Sequence, residues 1–437
     1  MKKLVPPLLS LSAVVFAQQG APIAGYKLLT TIKIPTGLTA NDISWVDTAT
    51  ARYYLADHGT GTSVAPTIDV INTQTGQFIT SIVLPSSTNG VVGVPRAHEL
   101  WVGLNNSTVA VINTDTNMIS QMIGTGGTAR ADEVAYDPVD SLILIANDRD
   151  TPPFVSFIST ESYSVVKKAV YDGTQAPQST GGIEQPVWDG QAGKFYLAIP
   201  ATKANPNGEI DELDPISMGV TRSMPTLCKG PSGLALIPNQ RLITACGDVI
   251  DIATGKVVTT VQGVSGDEIW YNPGDQRVYF AGGTDRISVN VVDANSYGLF
   301  TSFTVGQTVP SPGVSQTTHS VAVDSDNNEI FVPVTGAGIQ VWRNGASITA
   351  SPNPIAVTGN GLGTALISWV APNAETVEVH IGSPTGPLFS RTGNRGSEMT
   401  GSWVGDGTTF YLQDVSGGAA ASAANTIAST VVHLLRQ

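Results

Sequence analysis

Seven short stretches of this chain share one pattern, and at one position of it five of them carry an ionisable side chain. The stretches read NDISWVD, GVVGVP, DEVAYDP, EQPVWDG, GLALIP, DEIWYNP and HSVAVDS, and begin near residues 42, 90, 132, 184, 233, 267 and 319. They can be aligned on the residues that close them, Asp47, Pro95, Asp137, Asp189, Pro238, Asn272 and Asp324. Five residues earlier stand Asp42, Gly90, Asp132, Glu184, Gly233, Asp267 and His319. Glu133 and Glu268 follow directly in two of them, and Asp57-His58 and Asn147-Asp148 stand near the ends of second strands. Several oxygen donors in one ring suit a hard cation such as calcium. Nitrogen from His319, joined by His58, turns the preference toward zinc or another transition ion. Crowded carboxylates also raise one another's pKa, which prepares a general acid or base. The plainer alternative stays open, in which acids at strand starts bond backbone amides or solvate a water-filled funnel.

These residues converge only if the stretches are equivalent strands. The segment from Asn41 to Pro85 shows the unit: NDISWV, RYYLAD, TIDVI and QFITSIVL are β-branched and aromatic runs separated by polar turns. The Asn-Thr-Gln-Thr-Gly turn at 72–76 bonds its own backbone and accepts positive φ at Gly76. The third strand and its turn return as TVAVINTDTNM, FVSFISTESYS, EIDELDPISMG, DVIDIATGK and ISVNVVDANSYG. Openings spaced 34 to 52 residues apart match four-stranded propeller blades. The seventh unit lacks its fourth strand, and Tyr26 to Pro35 reads as the missing one, closing the ring from the front of the chain. The expected architecture is all-β: a seven-bladed β-propeller over residues 25–344, followed by a β-sandwich over residues 351–437.

Composition agrees. Gly 46, Pro 27 and only 13% charged residues indicate many turns and strands. Lys2-Lys3, an apolar run to Phe16 and the small residue Ala17 read as an export signal over residues 1–17, so the mature chain is expected in the periplasm or outside the cell. No later apolar run is long enough to span a bilayer, and a net charge of −13 repels nucleic acid and anionic lipid, so neither is an expected partner. Export permits a disulfide, and Cys228 and Cys246 fall at the same end of a predicted hairpin; two buried thiols are the alternative.

The cadence IDVINTQTGQFITSI, with LILIAND in the third unit, resembles the YVTN-repeat, or YncE-like, seven-bladed propellers of exported bacterial proteins. The resemblance implies a fold shared by metal-dependent lactonases, cofactor-bearing oxidoreductase subunits and plain binding proteins. After Asn344 the runs IAVTG, TALISWVAP, TVEVHIG, GSWVG, TFYLQDVS and STVVHLL resemble an immunoglobulin- or fibronectin type III-like module, with Trp369 and Phe410-Tyr411 as core. His380 and His433 read as ordinary sheet residues, His98 as a surface turn, and Trp45, Trp188 and Trp270 as packing between blades.

No GxSxG, HExxH, P-loop or dinucleotide fingerprint occurs in a suitable setting. The leading expectation is a monomeric binding protein that meets a protein, peptide or glycan at its upper channel mouth through Asp42, His58, Asp132, Glu133, Glu184, Asp267, Glu268 and His319. The alternative is a metal-dependent, lactonase-like hydrolase or lyase, with calcium or zinc held by Asp42, Asp132, Glu184, Asp267 and His319. A purely architectural surface protein is a third reading.

Overall fold

The computed structural model describes residues 26–60, 63–307, 315–358, 361–371 and 374–436. The expected export signal lies outside them. The chain divides into two compact units, one spanning Gly25–Gly345 and the other taking in Ala346–Gln437.

Among the described residues, the first unit holds seven four-stranded antiparallel sheets. Six are made of consecutive strands, as in Asn41–Asp47, Arg52–Asp57, Thr67–Asn72 and Gln77–Val83. The seventh combines Ala322–Asp324, Glu329–Val334 and Gly338–Arg343 with Lys27–Ile32 from the front of the chain. The innermost strands neighbour one another in a closed cycle: Asn41–Asp47, Thr88–Val94, Val134–Asp137, Pro186–Asp189, Leu234–Ile237, Glu268–Asn272, Ala322–Asp324, and back to Asn41–Asp47. The arrangement is propeller-like.

Local chemistry sets each sheet. In five of the sheets the first hairpin is closed by an acceptor side chain at the end of the inner strand, Asp47, Asp137, Asp189, Asn272 or Asp324. Asp137 Oδ1 takes the Val139 and Asp140 amides at 2.8 and 3.2 Å, and Asp189 Oδ1 takes those of Gln191 and Ala192 at 2.8 and 3.2 Å. The third-strand turn repeats the device, with Asn72 Oδ1 accepting from Thr75 N at 2.8 Å and Asn113 Oδ1 from Thr116 N at 2.9 Å. In all seven sheets the pairing of third and fourth strands slips by a residue, as between Val70 and Ile71 or Val111 and Ile112. Such bulges increase strand twist, which suits wedge-shaped sheets arranged around an axis.

The core lies between successive sheets. Tyr54, Val70 and Ile82 of the first pack with Leu100, Val102 and Ala110 of the second; Leu144 and Phe157 of the third pack with Phe195 and Leu197 of the fourth. Each such side chain contributes about 1.5–3 kcal/mol of burial. At the junction with the front of the chain, Tyr26 stacks on Phe303 at 4.7 Å and its hydroxyl lies 2.8 Å from that of Tyr279. Cys228 and Cys246 are disulfide-bonded, and Asp248 Oδ2 accepts the Leu227 and Cys228 amides beside them.

The second unit contains sheets Ser347–Ser351/Leu366–Val370/Arg395–Met399 and Leu388–Thr392/Val377–Ile381/Thr408–Asp414/Thr426–Val432, with a short parallel pair Ile355–Val357/Leu434–Arg436. Its core joins Trp369, Val379, Phe410 and Leu412. Two sequence expectations need correction. The unit starts at Ala346, not at residue 351, because Ser347–Ser351 already pairs with Leu366–Val370. GSWVG forms no strand, only a bridge from Val404 to Gly363; the polar runs Leu388–Thr392 and Arg395–Met399 supply strands instead.

Candidate functional site

At the entry of the innermost strands the expected ionisable residues meet in a largely buried collar. His319 stands between two aspartates, with Nε2 3.1 Å from Asp42 Oδ1 and Nδ1 3.1 Å from Asp267 Oδ2. His58 Nε2 lies 3.5 Å from the other Asp42 oxygen. Burial would lower the His319 pKa, but the hydrogen bond and charge of Asp42, with Asp267 and Glu268, raise it to about 9. At neutral pH His319 is therefore an imidazolium donating from both nitrogens. Burial acts upward on Asp42, yet the hydrogen bonds of His319 and His58 outweigh it and hold this carboxyl far below the usual range.

The second centre is Arg130, absent from the sequence expectation. Its Nε and Nη2 meet both oxygens of Asp148 at 2.9 Å, Nη2 reaches Asp132 Oδ2 at 2.5 Å, and Nη1 lies 3.7 Å from Asp42. The bidentate fork fixes the guanidinium plane. Asn147, the last residue of the strand Leu142–Asn147, holds the Arg130 carbonyl through Nδ2 at 3.1 Å and also reaches Ser107 Oγ and Thr125 Oγ1, so it helps to position the arginine. The pattern "ARADE" at 129–133 was the available signal: a lone cation beside two acids in a chain poor in charge.

The remaining acids are kept neutral in part. Burial, then the charges of Asp148 and Asp267, push Glu184 up to about 8. Burial raises Glu268 to about 7, opposed by its hydrogen bond with Glu133. Glu133 is raised further, by burial and by the Glu268 charge. Asp132 is raised by burial and by Asp42, against the pull of Arg130.

The two glycines that interrupt the series have a steric reason. A Cβ on Gly90 would stand 2.0 Å from the carbonyl oxygen of Asp132, and one on Gly233 2.4 Å from that of Asp267. In each case the next sheet's opening packs on the glycine, and Gly90 N donates to Asp132 O at 3.1 Å. These glycines seat the collar aspartates that follow them.

The expected metal set is only partly assembled. Asp42, Glu268 and His319 offer ligand atoms within 4.8 Å of one another. Asp132 is bound instead by Arg130, Asp267 by the second nitrogen of His319, and Glu184 has its nearest influences only through charge. Elsewhere, His98 is an exposed turn residue 3.1 Å from Asp115, and His380 is buried between Glu378 and the Gly386 carbonyl. His433 follows the strand Thr426–Val432, 3.6 Å from Asp406.

No family model matches this chain, and no curated protein matches it. Among solved structures, a chain of the crystal structure of a mitotic checkpoint complex superposes with a TM-score of 0.56 at 13% identity, covering 78% of this chain and 98% of that one. In all, 1270 solved chains match, so the fold is common and selects no function by itself. Among the described residues, no helix is long and apolar enough to cross a membrane.

Proposed function

We propose that the first unit is a seven-bladed β-propeller of the YncE-like kind. In this reading the protein is exported and carries an immunoglobulin- or fibronectin-like module. It binds a protein or peptide partner by receiving a lysine or arginine side chain in the collar. One observation carries this reading. Seven acids, Asp42, Asp132, Glu133, Asp148, Glu184, Asp267 and Glu268, surround two firmly charged cations, Arg130 and His319. Burial holds Asp132, Glu133, Glu184 and Glu268 up toward their neutral forms, so a cationic group entering this concave mouth meets acids that can ionise against it, whereas an anionic group meets none that can answer it. The structurally similar chain belongs to a mitotic checkpoint complex, a protein assembly, which is consistent with an interaction role.

The test is anisotropy of a fluorescent lysine–glycine octapeptide against its glutamate–glycine counterpart, at low and high salt. Asp267→Asn is the informative variant, because that side chain is 31% exposed. The expected result is salt-sensitive binding of the lysine peptide alone, weakened about tenfold by the variant, the effect of losing one close charge pair. Equal affinity for both peptides, or none for either, sinks the reading.

The triad of Asp42, Glu268 and His319 favours a second reading, a divalent-cation site serving hydrolysis or elimination. Two carboxylates and an imidazole are a zinc-like donor set and too few oxygens for calcium. A bound ion would act as a Lewis acid. His319 would then have to give up the proton it shares with Asp42. Calorimetry with zinc and with calcium, plus elemental analysis, decides this: absence of binding heat and of metal removes it.

A further inference from the structure

Below the collar, the inner strands enclose a cavity of about 650 Å³, lined by residues of six of the seven. Its walls include Trp45, Val91, Tyr136, Trp188, Leu236 and Trp270. The three tryptophans pack on the cores between sheets yet stay half-buried, so each ring is held fixed while part of it borders the cavity. Trp45 lies so close over Gly93 that a Cβ there would fall 1.9 Å from the indole, so only glycine lets this wall form. A cavity of this size, mostly apolar with a few placed polar groups, has the form of a small-molecule site. Water gains little in it, since aliphatic and indole walls offer few hydrogen-bond partners.

The two ends differ in what they leave unpaired. Glu133, at the collar end, is engaged with Glu268. Arg96 lines the opposite end, just past the strand Thr88–Val94, as do Pro95 and Pro138. All three are exposed, so the cavity opens to solvent at this rim. The Arg96 side chain forms no hydrogen bond or ion pair with any described residue. The acids nearest to it are committed elsewhere. Glu99 accepts from the Trp101 indole at 3.0 Å and from the Tyr163 hydroxyl at 2.6 Å. Asp137 accepts its two turn amides through one oxygen, and its other oxygen is buried. Asp47, Asp189 and Asp324 at the same rim likewise hold turn amides. The charges of Arg96, Asp137 and Glu99 all reach the phenol of Tyr136, which places Arg96 beside an aromatic wall. A permanently charged planar fork with no carboxylate of its own suits an anion that accepts two parallel hydrogen bonds.

We propose that this channel binds a small, flat apolar molecule bearing one carboxylate, its rings among the tryptophans and its carboxylate on Arg96 at the rim away from the collar. A neutral analogue keeps the burial and loses the charge pair, and an amine of the same shape is repelled by the guanidinium. The proposal stands on the channel alone and not on the collar reading, which concerns a macromolecular partner at the other mouth.

The experiment is a calorimetric titration of the purified full-length protein with 2-naphthylacetate, 2-(2-naphthyl)ethanol and 2-(2-naphthyl)ethylamine, at low and high salt. The expected order is acid, then alcohol about tenfold weaker, the effect of one hydrogen-bonded charge pair, then amine weaker still. Salt should narrow the gap between acid and alcohol. Arg96→Gln should bring the acid to the level of the alcohol, and Arg96→Glu should place the amine above the acid. Both changes are at an exposed side chain, so folded protein is expected for each. Val92→Phe and Leu236→Phe fill the channel, and whichever of them melts as the parent does should abolish binding of all three. The proposal is overturned if the parent protein binds none of the three, binds them equally or prefers the amine. It is also overturned if the acid keeps its advantage in Arg96→Gln, or if binding survives in a folded channel-filling variant. Parent protein that binds the acid but not the lysine peptide sinks the collar reading alone, and the converse sinks this proposal alone.

Discussion

Asp137 and Asp132 stand at opposite ends of one short stretch of chain and serve different ends. Asp137 is fully buried and gives one oxygen to the amides of Val139 and Asp140, its own neighbours. Asp132 gives an oxygen to Arg130, whose other contacts reach Asp148 and Asp42. The contrast holds around the ring: Asp47, Asp189, Asn272 and Asp324 cap local turns, while Asp42 depends on His319, 277 residues away. A turn carboxylate is satisfied as soon as its hairpin forms. Among the collar carboxylates, Asp132 meets Arg130 two residues away, but Asp42 meets His319 only when the ring closes. The same residue type thus builds the fold at one rim and a site at the other.

The comparison is broken most severely at Arg130. Arg130→Met leaves Asp42, Asp132 and Asp148 without their guanidinium, and the expected loss is about 3–5 kcal/mol in urea unfolding. A loss below about 1 kcal/mol would mean that the collar acids need no fixed cation. Next comes Gly90→Ala, where the new methyl meets the Asp132 carbonyl; about 2–3 kcal/mol should be lost, with weaker lysine-peptide binding as Asp132 shifts.

A pH series sharpens the contrast. Glu184 has a folded pKa of about 8, above its ordinary 4.5, so its contribution is complete below about pH 4.5 and is lost as pH rises through 8. Stability should therefore fall between pH 5 and 9, and Glu184→Gln should flatten that limb of the urea-midpoint profile. Smallest is Asp137→Ala at the other rim, which removes the one oxygen that accepts from two amides and should cost about 1 kcal/mol. Peptide affinity should not change, and a change would erase the distinction between the rims.

Most of the fold could be read from residue order because its signals are local. The acceptor side chains at Asp47, Asn72, Asp137 and Asp189 act over two or three residues, and alternating β-branched runs need no distant partner. The second unit was read less well. Leu388–Thr392 and Arg395–Met399 are polar and partly exposed, so they lack an apolar strand signature, whereas the apolar run around Trp403 is no strand.

The site divides the same way. Asp42, His58, Asp132, Glu133, Glu184, Asp267, Glu268 and His319 were visible as a series because the repeat carries their positions into register. Arg130 was not, since it lies outside the aligned position and gains meaning only by facing it; Asp148 was visible at the end of a second strand, but not as the partner of Arg130. Nor could the sequence say that Glu268 would join Asp42 and His319 while Asp267 took the far side of the ring. Repeated local turns encode which residues reach the mouth of the channel. Which of them share a proton, a cation or a cavity depends on distances across the ring, and those exist only once the front strand has closed it.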